Sequence, residues 1–238
     1  MYFGESIEPK LFFENYINFD IDYIIYNLEN NITDGLQNNL LKPVFILLTY
    51  CDTTFDHIAE KFVKGQQFWH AIIGFDYTLT DCYSFNYNPK THESGLIKES
   101  ILGYKEKYPN ANCQISCIFI GEEKYYKLKE SLNYYIFNKD KTRYDFLNLF
   151  FSLIGKQTKN GLKLNQVCST FVDSLLRSIG VNLVDKNTNL VKPDDLIKKK
   201  DNKKQFILYQ GIISKFNSDR IFKKVVNLSN NSKNDYFK

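Results

Sequence analysis

Along the chain the spacing of apolar and polar positions changes several times, and each change marks an element. PVFILLTY (43–50) is a short apolar run that predicts a buried strand. FDHIAEKFVK (55–64) spaces Phe55, Ile58, Ala59 and Phe62 as a helix does. Three further strands are expected at FWHAIIGFD (68–76), DCYSFNYN (81–88) and GLIKES (95–100), and a fourth at CQISCIFI (113–120). Helical spacing covers EEKYYKLKESLNYYIF (122–137), YDFLNLFFSLI (144–154) and NQVCSTFVDSLLRSIGV (165–181). In LVKPDDLIKK, Pro193 suits the first turn of a short helix, and QFILYQGIIS (205–214) reads as a closing strand or hairpin. Strand, helix, several strands, then mostly helices predicts an α+β domain, an antiparallel sheet with its helices packed on one side.

The pattern also divides the chain. Residues 1–42, with the amphipathic stretch FDIDYIIYNLENNI, read as an N-terminal extension that packs on the domain or on a protein partner. The domain is expected over 43–216, followed by a polar, basic tail over 217–238. With 43% hydrophobic residues in 238, the chain can fill a core. Its apolar runs fall short of the roughly 18 residues of a membrane span. MYFGESIEPKLFF lacks the basic-then-apolar layout of a signal peptide, so a soluble, cytoplasmic or virion-associated protein is expected.

Charge and cysteine content narrow the chemistry. The net charge of +4 gathers in Lys198–Lys200, Lys203–Lys204 and Lys223–Lys224, which read as solvated lysines, so a nucleic-acid partner is not expected. Five cysteines, an odd and widely spaced set, argue for a reducing compartment over a disulfide framework. Cys113 and Cys117 have no second pair of ligands nearby, and G-x-G-x-x-G and P-loop patterns are absent. Neither a metal nor a cofactor is expected.

The cysteine of NQVCSTFVDSLLRSIGV has two readings. Asn165 is a good N-cap, Gly180 sits where a left-handed C-terminal cap is wanted, and Cys168, Val172, Leu175 and Ile179 share one face. A thiol on that face packs as a small core residue. A thiol in the first helical turn also meets unpaired N–H groups and the positive end of the helix dipole, which favour a thiolate. A base decides between the two, and His70 is the one histidine in an expected central strand, while His57 and His92 lie elsewhere.

The HAIIGF strand, the later NQVCSTFVDSLLRSIGV helix and the KPDDL element after it together resemble the circularly permuted, NlpC-type, papain-like cysteine hydrolases. The resemblance covers about Pro43 to Leu196, with histidine before cysteine as the permuted order requires. It implies a papain-like α+β fold, Cys168 as nucleophile and His70 as general base and acid. The family's third polar group comes from the strand after the histidine strand, and Ser84 best matches that place, with Asn86 two residues on. A hydroxyl there departs from the family, which uses His, Asn, Gln or Glu. Glu99 from the next strand is another candidate orienter, though a solvent-side strand residue would look the same. The oxyanion would meet the Cys168 backbone N–H and Tyr50.

The resemblance implies acyl transfer from an amide or ester, with a peptide, a cell-wall peptide or a lipid as substrate. Phe68, Trp69, Tyr83, Phe85 and Phe171 suit either a groove or a core. The alternative function is a non-catalytic structural or interaction module on the same fold, which the Asn- and Lys-rich composition would fit as a component of a bacteriophage particle.

Overall fold

A computed structural model describes residues 41–51, 65–88, 91–147, 149, 164–197 and 205–217. Residues 1–40 of the extension, the helix expected over 55–64, most of that expected over 144–154, the lysine clusters and most of the tail lie outside the described residues.

Six strands form one antiparallel sheet: β1 (Leu41–Tyr50), β2 (His70–Gly74), β3 (Cys82–Tyr87), β4 (Ser94–Glu99), β5 (Asn112–Gly121) and β8 (Gln205–Ile212). Their order across the sheet is β4-β3-β2-β1-β5-β8. β1 is central and buried on both sides, hence its unbroken apolar run: Val44, Ile46 and Leu48 face one core, Phe45 and Leu47 the other. β6 (Arg143–Tyr144) and β7 (Asn165–Gln166) form a separate two-stranded parallel pair.

Three helices are present among the described residues: α1 (Ile101–Lys107), α2 (Glu122–Phe137) and α3 (Cys168–Ser178). α2 and α3 cover the Val44–Ile46 face, where Leu128, Leu132, Phe171, Val172, Leu175 and Leu176 are buried with Ala71, Ile73 and Phe85. α1 corrects the expectation of helices on one side only. Its Ile101 and Tyr104 are buried on the opposite face with Phe45, Ile72 and Cys113. The helix is seven residues long and interrupted by Gly103, so its spacing is faint in the sequence; Ser100 caps it, its hydroxyl accepting the Gly103 N–H at 3.1 Å.

α3 begins later than its sequence suggests. Asn165 lies in β7, and Val167 is the N-cap, its backbone N–H donating to Thr170 Oγ1 at 3.2 Å. Cys168 is therefore the first helical residue. The other end closes as expected: Gly180, at φ +76, donates to the Arg177 carbonyl at 3.0 Å and Val181 to that of Leu176 at 3.0 Å. This pair of reversed bonds is a Schellman cap. The KPDDL element forms a 3₁₀ turn, Pro193–Leu196, with Pro193 at its start.

One irregularity in the sheet governs the site. β1 and β2 pair from Phe45–Gly74 through to Thr49–His70, but β2 and β3 pair only at Ile73–Tyr83 and Gly74–Cys82. Past those two pairs the ladder opens. The start of β2, with His70, stands beside a seam in the sheet.

Candidate active site

Alternation along the strands sends His70 to the Ile72 face and Ser84 to the Cys82 face, which is one and the same side of the sheet. Glu99 lies across from Cys82 in the β3–β4 ladder and shares that side. Tyr104 of α1 covers it, its ring stacked near that of His70 with centroids 6.4 Å apart. α3 packs on the other side, against β2 and β3, with Cys168 at its first position. The thiol and imidazole come together at the seam, close enough for the charge of each to act on the other.

The carboxylate is the third member. His70 Nε2 donates to Glu99 Oε1 at 3.0 Å, which leaves Nδ1 as the ring nitrogen for the sulfur. Ser84 also donates to Glu99 Oε1 through its hydroxyl, and Tyr104 hydrogen-bonds the same carboxylate. The expectation that Ser84 orients the imidazole is thus replaced: Ser84 holds Glu99, and Glu99 holds His70. The Glu99 side chain is only 7% exposed, so it is not a solvent-side strand residue. Asn86 turns its Oδ1 to the Tyr87 N–H at 2.8 Å. Tyr50 ends β1 opposite Asn112 and packs against the first core.

Electrostatics follow from this arrangement. Burial is the strongest influence on His70 and opposes its charge, but the charges of Glu99 and Cys168, with the hydrogen bond to Glu99, raise the imidazole to about 10. Burial likewise pushes the Glu99 carboxyl up, yet the His70 charge and the bonds from His70, Ser84 and Tyr104 hold it below its ordinary value. A buried carboxylate with these donors stays ionised, and beside it the imidazole stays an imidazolium at neutral pH.

Tyr144 is a site residue that sequence reasoning missed. Its phenol lies within electrostatic reach of Cys168, and burial, followed by the charge of Cys168, keeps that phenol well above its ordinary range and so protonated. Its place depends on a short strap: the Leu96 N–H donates to Thr142 Oγ1 at 3.0 Å and the Tyr144 N–H to Ser94 Oγ at 2.9 Å. Nothing in the spacing of KTRYDF pointed to it. The Cys168 thiol donates to the Trp69 carbonyl, 3.9 Å away.

Of the aromatic residues read as groove or core, the three phenylalanines resolve into core. Phe85 and Phe171 are fully buried with ring centroids 4.9 Å apart, and Phe68 is buried beside them. His92 is exposed at a positive φ of 58, its Nδ1 3.2 Å from the Tyr87 hydroxyl. Among the described residues no group of three or more His, Cys, Asp or Glu side chains could hold a metal ion, and no helix is long and apolar enough to cross a membrane.

A thiol at a helix start, an imidazole fixed by a carboxylate and a protonated phenol near the sulfur are the kinds of group that nucleophilic catalysis at a carbonyl requires. No protein-family model matches the chain, and neither does a curated protein or a solved structure.

Proposed function

We propose that the chain is a papain-like cysteine hydrolase that transfers an acyl group from an amide or ester through Cys168. The observation that carries this reading is the continuous series Cys168–His70–Glu99, in which a buried carboxylate keeps an imidazole charged beside a helix-borne thiol. The sequence resemblance to the permuted NlpC-type hydrolases points the same way.

In this reading the Cys168 sulfur, as thiolate, attacks the carbonyl carbon, and the carbonyl π pair moves to oxygen. The oxyanion is met by the Cys168 backbone N–H and the Tyr144 hydroxyl, the latter a donor beyond the Tyr50 expected from the sequence. As the C–N or C–O bond breaks, the imidazolium gives its proton to the leaving nitrogen or oxygen, and a thioester remains. Neutral His70 then takes a proton from water as it attacks the thioester, and the acid leaves with the thiolate restored. Glu99 holds the ring in place and stabilises its charge throughout.

The second reading is a non-catalytic module, in which the same contacts simply satisfy a buried thiol. The 2% exposure of Cys168 favours it. An activated ester separates the two. The hydrolase reading expects a thioester adduct at Cys168 by mass spectrometry near neutral pH, with turnover abolished in Cys168→Ala and strongly slowed in His70→Ala. A wild-type Cys168 no more reactive than the part-exposed Cys51 defeats that reading.

A further inference from the structure

The two elements that meet at the sulfur are each tied to a third, the segment Val191–Leu196. Ser169, next to Cys168, donates from its hydroxyl to the Val191 carbonyl at 2.6 Å. Three residues along, Asp194 accepts the Gln67 N–H on Oδ2 and the Phe68 N–H on Oδ1, each at 2.7 Å. Phe68 stands two residues before His70. The residue between them, Trp69, presents its carbonyl to the Cys168 thiol.

The segment is itself firmly held. Val191 and Leu196 are fully buried. Gln205 Nε2 donates to the Leu196 carbonyl at 3.0 Å and to Ser116 Oγ at 2.8 Å. Asp195 accepts the Lys192 N–H at 2.9 Å and pairs with Lys186 at 2.6 Å. The start of β2 needs such support. At His70 its ladder partner is Thr49 of β1, and the pairing with β3 has already stopped. Two hydrogen bonds to a carboxylate stand where a second neighbouring strand would otherwise hold the chain.

We propose that Asp194 is a positioning residue: by holding the Gln67 and Phe68 amides, its carboxylate sets where the His70 imidazole stands relative to the Cys168 sulfur, and Ser169 anchors the other end of the same bridge. The inference rests on the acyl-transfer reading of the site. Asp194 takes no part in bond making; it acts through the backbone that leads into β2.

The test compares the full chain with Asp194→Ala, Asp194→Asn and Ser169→Ala. Acylation of Cys168 by an activated ester is read alongside alkylation of Cys51, thermal melting and the NMR titration of the His70 ring. A misplacement of the kind that follows loss of this hold slows acylation about 10- to 100-fold in Asp194→Ala. The loss is smaller in Asp194→Asn, which keeps one acceptor. The His70 titration moves down and the Cys51 rate stays as in wild type; loosened packing alone would raise labelling at all five cysteines. Wild-type acylation and an unmoved His70 titration in folded Asp194→Ala overturn the proposal. Should that variant fail to fold, the same result in both Asp194→Asn and Ser169→Ala overturns it. An inert wild-type Cys168 defeats the acyl-transfer reading instead, and the His70 titration still reports whether Asp194 places the ring.

Discussion

Glu99 Oε1 stands 3.0 Å from His70 Nε2, and the two side chains are 7% and 14% exposed. A pair this buried costs desolvation on both sides, and it survives because the carboxylate also takes the Ser84 and Tyr104 hydroxyls. Breaking it by removing one partner leaves the other charge without compensation.

Glu99→Gln keeps the shape and an acceptor but deletes the charge. The His70 ring is expected to titrate well below about 10, back toward the ordinary imidazole range. Acylation at neutral pH should fall by roughly 100-fold or more as the imidazolium loses its stabiliser. NMR titration and rapid-mixing kinetics measure the two effects separately. Ser84→Ala removes one donor from the carboxylate and should cost about 1 kcal/mol of stability with a milder loss of rate.

The same pair shapes stability against pH. His70 is raised from 6.5 to about 10, so its contribution is complete below 6.5 and is lost as pH rises through about 10. Glu99 is held below its ordinary 4.5, so its contribution is complete above 4.5 and is lost as pH falls through its depressed native value. Urea midpoints are therefore expected to be flat between these limits and to drop on both sides. His70→Gln should remove the part of the alkaline fall that belongs to the ring; an identical alkaline limb in that variant would assign the fall to other groups.

Tyr144→Phe separates a donor from a spacer. If the hydroxyl meets an oxyanion, acylation by an ester slows about 100-fold. Alkylation of Cys168 by a haloacetamide forms no oxyanion and should keep close to its wild-type rate. Equal slowing of both reactions would show that Tyr144 acts on the sulfur rather than on the carbonyl.

Gly95→Ala tests the strap that brings Tyr144 in. Gly95 has a φ of +110, and a Cβ there would lie 2.6 Å from the Thr142 carbonyl oxygen. The strain and the forced separation should cost about 1–3 kcal/mol. Ester acylation should fall along with the melting temperature, because the Thr142–Tyr144 segment must withdraw from β4. A variant that melts like wild type would mean the strap can shift without loss.

The strands were legible because β1, β2 and β5 carry apolar runs long enough to read, and α3 because its apolar face repeats over three turns. Cys168 and His70 stood out for their settings within those elements. The wiring of the third group was not legible. Ser84 and Glu99 occupy neighbouring strands, and only the Cys82–Glu99 register shows that the carboxylate reaches past the hydroxyl to the ring. Asp194 was visible as part of KPDDL, but its partners lie more than 120 residues away along the chain. Tyr144 sits in a two-residue strand, too short for any period to mark it.

The two-pair contact between β2 and β3 has a final consequence. A ladder that ran on to His70 would wall the Cys168 thiol off from the carboxylate. With the seam open, the imidazole links the buried Ser84, Glu99 and Tyr104 behind the sheet to the thiol in front. In the proposed acyl-transfer reading, residues behind the sheet then set the charge on the ring, while Tyr144 in front faces the thiol's side.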